Sequence, residues 1–179
     1  GSGQEMLNII KRLDRTKYSH SVCVLKKGGE LEKKIEARGI SVIEAPFSIS
    51  PKPLWNLLSR AKEAAQLFKN QSFQIFHSFH WAGDYTEPLI AHFAGAKWVY
   101  TKKNMNWGRN WFLRTLLADR VVARNTTMLE RFFAPTWFRS KCVLVHGGVD
   151  VEKFSRQALA QPGFREKMNI GKNEFVAVC

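Results

Sequence analysis

Residues 73–101 read FQIFHSFHWAGDYTEPLIAHFAGAKWVYT, and this stretch decides the fold class of the chain. It holds a short apolar run at residues 73–78, an amphipathic pattern with helical period at 85–93, and a second apolar run at 98–101. Gly95 follows the helical pattern, where a C-capping glycine is expected. A strand, a helix and a strand in this order predict a βαβ unit with two parallel strands.

The same alternation continues on both sides of this unit. We predict helices at residues 6–13, 31–38, 54–68, 110–117 and 126–133, and further strands at 20–25, 40–45, 120–123 and 143–145. Right-handed crossovers then place helices on both faces of the sheet. The sequence therefore predicts an α/β fold with a Rossmann-like, doubly wound and mostly parallel sheet of about six strands. Because the series opens with a helix, the first strand of such a sheet is expected to be missing.

A second domain is expected to begin near residue 162. A polar stretch ends at Gln161-Pro162-Gly163, and a short basic helix is predicted at residues 164–168. The apolar run at residues 174–179 has the character of a buried strand. The predicted domains are residues 1–161 and residues 162–179, the second being an incomplete one.

The charge of the chain favours an anionic partner. Its 179 residues include 28 Lys and Arg against 15 Asp and Glu, a net charge of +13. Ten of the basic residues and only two of the acidic ones lie in residues 97–141. A nucleotide or phosphate substrate, an anionic membrane surface and nucleic acid all fit this excess. Nucleic acid is the least favoured, because no RNP-like, helix-turn-helix or zinc-finger pattern is present.

The hydrophobic runs and the cysteines bear on the location of the protein. No apolar run approaches the roughly 20 residues of a membrane-spanning helix, and no signal peptide is visible. The three cysteines, Cys23, Cys142 and Cys179, are scattered. We expect reduced thiols in a reducing compartment.

Site residues are expected at one edge of the sheet, because open α/β sheets bind ligands beyond the carboxyl ends of their strands. The loops in question are the segment before Met6 and residues 77–81, 102–106, 124–125 and 146–150. His77 and His80 lie in one of these loops. Their spacing alone would permit zinc, but no third ligand is evident, so no metal site is predicted.

Five short motifs occur along the chain in a fixed order. They are Gly1-Ser2-Gly3-Gln4-Glu5, Phe76-His77-Ser78-Phe79-His80, Val99-Tyr100-Thr101-Lys102-Lys103-Asn104, Ala118-Asp119-Arg120-Val121-Val122-Ala123, and Val143-Leu144-Val145-His146-Gly147-Gly148-Val149-Asp150 with Phe154. In order and spacing they resemble the motifs of glycosyltransferase family 4, retaining enzymes of the GT-B fold. The last motif, Gly-Val-Asp-x-x-x-Phe, is the most specific. The chain departs from the family pattern where Lys103 replaces a His and Gly147 replaces an Asn.

The resemblance implies the N-terminal, acceptor-binding half of a glycosyltransferase, a hexosyltransferase-type enzyme that is inactive without its donor-binding half. The donor would be a nucleotide sugar and the acceptor a glycan or a lipid-linked molecule, as in cell-envelope polysaccharide synthesis. No metal or other cofactor is implied. The protein would be cytoplasmic and peripheral at the inner face of the membrane. His80 and Lys103 are the implied catalytic residues, and Gly1, Gly3, Glu5, Asn104, Arg124, Asn125 and Gly148 the implied donor- or acceptor-binding residues.

Each candidate also has an ordinary structural interpretation. Gly1 and Gly3 would bind a diphosphate through backbone N–H groups, or they are a cloning remnant. His80 orients a hydroxyl group or is simply packed, and Lys103 binds an anionic acceptor or is solvated. Asn125 contacts a sugar or caps a helix.

Two aromatic and basic stretches suit the headgroup layer of an anionic membrane, or are core-facing helix stripes with a basic outer face. They are residues 107–114 and the helix with Trp55, Leu58, Arg60, Lys62 and Phe68. The function itself has two alternatives to glycosyl transfer: a nucleotide-sugar epimerase of the same fold, and a basic nucleic-acid-binding module.

Overall fold

The structure is a computed structural model that describes residues 2–152, 155, 163–171 and 173–176. The chain forms two compact units, Gly1–His146 and Gly147–Cys179. The predicted domain boundary at residues 161 and 162 lies outside the described residues and stays a prediction.

The first unit alternates helices and strands in the predicted order. The strands are β1 Ser21–Val24, β2 Ser41–Glu44, β3 Ile75–Ser78, β4 Lys97–Lys102, β5 Arg120–Ala123 and β6 Cys142–Leu144. The α-helices are α1 Ser2–Ile10, α2 Glu30–Glu36, α3 Leu57–Lys69, α4 Thr86–Phe93, α5 Arg109–Leu117 and α6 Thr126–Met128. Short 3₁₀ turns, Leu54–Asn56 and Trp137–Lys141, precede α3 and β6, and a π-helical turn, Leu129–Phe133, continues α6.

All strand pairs are parallel, as predicted, but the six strands form two sheets rather than one. β1 pairs with β2, while the other strands form a four-stranded sheet in the order β3-β4-β5-β6. In the doubly wound order 3-2-1-4-5-6, the first strand lies between the second and the fourth. Residues 2–20 contain no strand, so nothing occupies that central position in the described chain. No described strand lies between β1 and β3, and the Rossmann-like α/β class is confirmed.

A shared hydrophobic cluster connects the two sheets. Cys23 and Ile43 from the small sheet and Phe76 from β3 all pack against buried residues of α3 and α4. There are two further hydrophobic clusters. In one, α1 and α2 pack against β1 and β2, and in the other, α5 and α6 pack against β4 and β5. Cys23 and Cys142 are free thiols, and burial raises the pKa of each to about 11.

Helix α3 shows why these segments are helical. Its buried residues Ala61, Ala64, Ala65 and Phe68 recur at the spacing that places side chains on one face of a helix. Phe68 has 1% of its surface exposed. Its ring meets Phe76 of β3 edge to face, with 5.0 Å between centroids.

Two predicted helices differ from the structure in detail. The first helix begins at Ser2, so Gly3 lies in its first turn and not in a loop before it. Helix α6 widens into a π turn, closed by the N–H of Ala134 donating to the carbonyl of Leu129; Phe132 and Phe133, which end this turn, are both buried. In the second unit, α7 (Phe164–Lys167) agrees with prediction.

The predicted strand at residues 174–179 is not observed in its described part. Residues 174–176 form no strand, and Phe175 has 94% of its surface exposed. An apolar sequence becomes a strand only where another strand or helix covers it, and no described neighbour buries Phe175. Residues 177–179 lie outside the described part of the chain.

We expect Phe68→Ala to lower the free energy of unfolding by about 3–5 kcal/mol, because it opens a cavity between α3 and β3. The matched control is Leu67→Ala on the outer face of the same helix, where 56% of the side chain is exposed. That change should alter stability by less than about 0.5 kcal/mol. Urea unfolding measures both, and equal effects would contradict the packing of α3.

Candidate functional site

The loops after β3, β4 and β5 lie at one edge of the four-stranded sheet. The parallel register aligns Ser78 with Tyr100 and Lys102 with Ala123, so the carboxyl ends of these strands meet. The amide nitrogen of Asn104 donates to the carbonyl of Trp81 at 3.0 Å and ties the first two loops together. We call this the carboxyl edge.

An ion cluster at the carboxyl edge joins three of the predicted site residues. Glu5 accepts from the Lys103 ammonium at 2.7 Å through Oε2 and pairs with Arg124 Nη1 through Oε1. The three side chains are 12–26% exposed. Arg124 Nε is buried and has no hydrogen-bond partner among the described residues. Because two cations share one carboxylate, the cluster carries a net positive charge.

Lys103 is therefore not a freely solvated surface charge. Its ammonium lies 5.0 Å from the centroid of the Phe79 ring, within cation–π range. Burial lowers the pKa of Lys103 below its ordinary value. A partly desolvated ammonium at a strand end is suited to an anionic ligand.

His80 occupies the loop after β3 and is held through one ring nitrogen. Its Nδ1 lies 2.9 Å from Oε1 of Glu87, which belongs to the first turn of α4. Its side chain is 29% exposed, whereas that of Glu87 is 3% exposed. Nε2 of His80 has no partner among the described residues. His80 is therefore both held in place and accessible.

Glu87 connects His80 to a fully buried arginine. Oε2 of Glu87 accepts from Nη2 of Arg114 at 3.0 Å, and Arg114 has no exposed surface. Burial raises the pKa of Glu87, but the hydrogen bond from His80 and the charge of Arg114 outweigh it and leave the pKa below its usual value. Glu87 is thus ionised at neutral pH inside the protein.

His77 is hydrogen-bonded to the neighbouring strand β4. Its Nε2 is hydrogen-bonded to Thr101 Oγ1 at 2.9 Å. Burial of the ring and the charge of Lys103 lower the pKa of His77 to about 4. His77 nevertheless lies at an exposed position of β3, and solvent there screens the charge of Lys103. The bond to Thr101 agrees with the hydrogen-bonded interpretation of His77, whereas its exposure shows that the ring is not fully packed.

Lys102, next to Lys103, points into the core. Its ammonium donates to the carbonyls of Asn104 and Asn106 at 2.7 and 2.6 Å and to Oδ1 of Asn104 at 2.9 Å. It also lies 3.7 Å from the Trp111 ring centroid. Burial, helped by the charge of Arg114, lowers the pKa of Lys102 to about 7. Lys102 thereby fixes the loop that presents Lys103.

The other predicted site residues are placed as follows. Both heteroatoms of the Asn104 side chain are engaged within the loops, and Asn125 Oδ1 accepts from the Met128 N–H at 2.7 Å, which confirms it as a helix cap. Gly3 packs against Leu31, close enough that a Cβ there would collide with its side chain. Gly1 lies outside the described residues, and Gly148 belongs to the second unit.

Sequence reasoning missed Glu87, Arg114 and the role of Lys102. One signal was available for Arg114, because it shares the apolar face of α5 with Trp111 and Thr115 at helical spacing. A charged residue on such a face must find buried partners. In the stretch at residues 107–114 only Trp111 and Arg114 are buried, whereas residues 107–110 and Phe112 are exposed, so one stripe of it faces the core.

Comparison with known proteins agrees with this architecture. A family profile described as Glycosyltransferase Family 4 matches residues 1–153. A crystal structure of a glycosyltransferase from Rickettsia africae ESF-5 superposes with a TM-score of 0.66 at 21% identity. The match covers 96% of this chain and 45% of that one, so the chain spans less than half of its length. No curated protein matches the chain significantly.

The stability of the fold should rise with pH between about pH 7 and pH 8.5 because of Lys102. The unfolded chain keeps this lysine protonated up to its ordinary pKa of 10.5, whereas the folded pKa is about 7. The unfolded state therefore binds more protons in this window, and stability increases with pH, by at most about 1.4 kcal/mol per pH unit.

Urea unfolding at several pH values measures this slope. Lys102→Met should reduce it, whereas the exposed Lys62→Met should leave it unchanged. Identical slopes in the wild type and Lys102→Met would show that Lys102 is not desolvated.

Proposed function

The chain belongs to glycosyltransferase family 4, and we propose that it is the acceptor-binding half of an enzyme that moves a sugar from a nucleotide-sugar donor to a glycan or lipid-linked acceptor. The observation that carries the proposal is the carboxyl edge, where His80, Lys103 and Arg124 lie on neighbouring loops. Parallel α/β domains bind their ligands at this edge.

Glycosyl transfer makes two demands that this edge is suited to meet. The acceptor hydroxyl must be oriented toward the anomeric carbon, and an accessible ring nitrogen of His80 can accept its hydrogen bond. Negative charge on the acceptor or on the departing diphosphate must be balanced. The Glu5–Lys103–Arg124 cluster, with two cations for one carboxylate, supplies a positive charge there.

Lys103 gives the proposed acceptor a chemical character. A lysine cannot reproduce the neutral-imidazole chemistry of the histidine that the family pattern has at this position. We infer that it binds a phosphate or carboxylate group of the acceptor. Glu5 then holds Lys103 and Arg124 side by side in the absence of that group.

The complete enzyme would have the GT-B fold and retain the anomeric configuration. The donor contacts would lie largely outside this chain, and Gly148 would belong to the hinge between the halves. The nucleotide sugar is a substrate, and the proposed reaction uses no metal or other cofactor. This chain alone should accordingly bind a nucleotide sugar weakly.

Lys103→Ala in the full-length enzyme should lower kcat/KM by about tenfold or more, equivalent to about 1.4 kcal/mol of lost transition-state stabilisation. The matched control is Lys97→Ala at the opposite end of β4, where the ammonium pairs with Asp119 at 3.1 Å. Transfer is measured by mass spectrometry of the glycosylated product, which also distinguishes it from epimerisation of the donor. Unchanged kinetics for Lys103→Ala would make Lys103 a structural residue only.

We also propose that this half lies against an anionic membrane surface, at the cytoplasmic face. None of the described helices has the length and apolar character needed to cross a bilayer. At the start of α3, however, Leu54, Trp55 and Leu58 are 68%, 86% and 57% exposed. The net charge of +13 is complementary to anionic lipid.

The turn that carries Trp55 is held firmly. Arg60 donates to Oδ1 of Asn56 at 2.9 Å, to the carbonyl of Ser50 at 3.0 Å and to that of Pro53 at 3.1 Å. A solvent-facing tryptophan on a fixed turn is suited to the headgroup layer. Phe68, which the sequence placed in the same stretch, is instead buried.

Trp55→Ala should reduce binding of the chain to vesicles of phosphatidylglycerol and phosphatidylcholine several-fold in a sedimentation assay. Pure phosphatidylcholine vesicles should bind little, and added salt should weaken binding to the anionic ones. Trp137→Ala is the control, since Trp137 is 72% exposed at a different site. Equal retention of the wild type and Trp55→Ala would remove this surface from the proposal.

A further inference from the structure

The buried pair of Glu87 and Arg114 has no place in the family motifs quoted above. We propose that both are positioning residues that hold His80 in the tautomer with its proton on Nδ1, so that Nε2 is a hydrogen-bond acceptor at the carboxyl edge. This inference deepens the proposed function and rests on it for the role of His80. Its structural content can be measured without any turnover.

The hydrogen bond between His80 and Glu87 fixes the tautomer. An ionised carboxylate offers only acceptors, so the ring nitrogen 2.9 Å from Oε1 must carry the proton. Glu87 is held ionised, because its hydrogen bond from His80 and the charge of Arg114 keep its pKa low despite burial. The lone pair of the neutral imidazole is therefore on Nε2, the nitrogen without a described partner.

Arg114 makes the arrangement electrically balanced. A carboxylate that is 3% exposed needs a compensating cation. The guanidinium supplies it at 3.0 Å, so the Glu87–Arg114 pair carries no net charge.

Arg114 itself is fixed on several sides. Nη1 donates to the carbonyl of Asp84, and Nη2 donates to Oγ of Ser78 at 3.0 Å as well as to Glu87. The guanidinium carbon lies 4.6 Å from the ring centroid of Trp98 and 5.1 Å from that of Tyr100. Those contacts leave the guanidinium no room to turn away. The orientation of Glu87, and through it of His80, is fixed by the core.

A second histidine–carboxylate pair in the same unit differs from His80–Glu87 in its exposure and in its position on the sheet. His92 Nε2 lies 2.8 Å from Oδ2 of Asp119. Asp119 is 24% exposed and also accepts from Lys97 and from the Trp98 N–H. It follows α5 and begins no loop of the carboxyl edge, so this pair serves as an internal control.

The tautomer of His80 is measured by nitrogen-15 chemical shifts and long-range proton couplings of the imidazole in this chain. We expect the wild type to show the proton on Nδ1. In Glu87→Gln, the amide oxygen remains with the Arg114 donor, so the amide NH₂ turns to Nδ1 and the proton moves to Nε2. Asp119→Asn should change the His92 signals and leave those of His80 as in the wild type.

Two results would overturn the inference: a wild-type His80 with its proton on Nε2, or a Glu87→Gln spectrum identical to the wild type. If Glu87→Gln fails to fold, the tautomer of His80 in the wild type still tests the inference. Arg114→Lys is a second variant. It keeps a charge but loses the planar fork, and we expect it to give a mixture of His80 tautomers.

Kinetics of the full-length enzyme separate this inference from the proposed function. Glu87→Gln should lower kcat by tenfold or more with a smaller change in KM, whereas Asp119→Asn should stay within twofold of the wild type. If the wild type transfers sugar and Glu87→Gln is equally active, the positioning role is wrong although the function stands. If the wild type transfers no sugar, the proposed function fails, and the imidazole spectra still test the tautomer.

Discussion

The parallel pairing of β3, β4, β5 and β6 is the constraint on which the rest of the structure depends. Parallel strands of similar register must end at the same edge, and the chain must leave that edge through a loop after every strand. Strand pairing thereby brings together loop residues that are far apart in sequence, whether or not their side chains interact. Trp81 in the loop after β3 and Asn104 in the loop after β4, separated by 23 positions, are joined by a hydrogen bond in this way. His92, near the end of α4, and Asp119, just before β5, form a pair at the opposite edge, where these strands begin.

Buried charges then make the edge rigid. Arg114 and Lys102 are both fully buried beside the aromatic ring of Trp111, where an unpaired charge would be strongly destabilising. Groups from the loops at the carboxyl edge accept hydrogen bonds from both: Ser78 and the carbonyl of Asp84 from the two Nη atoms of Arg114, and the loop after β4 from Lys102. Nε of Arg114 is buried and has no hydrogen-bond partner among the described residues. The loops are consequently held by the core rather than by solvent-exposed contacts alone. A preorganised loop of this kind keeps catalytic groups in place without reorganisation during a reaction.

The sequence predicted the fold class, the order of elements and the common edge at which the loops after β3, β4 and β5 lie, because these depend on local periodicity and on general rules of parallel sheets. β5 was predicted to the residue, since Arg120 to Ala123 is bounded by clear breaks. The division into two sheets, the π turn at Leu129–Phe133 and the partner of Arg114 were not predictable, because each depends on which distant residues come together. Lys102 and Lys103 look alike in sequence, and only the direction of their side chains makes Lys102 a core residue and places Lys103 in the ion cluster at the carboxyl edge.

A crystal structure of the full-length enzyme with an intact nucleotide-sugar analogue and acceptor tests the central claim most directly. The account predicts that the reacting sugar and the acceptor lie at the carboxyl edge, with His80 Nε2 within hydrogen-bond distance of a substrate hydroxyl and Lys103 beside an anionic group of the acceptor. A ligand bound instead at the amino edge, near His92 and Asp119, would contradict it.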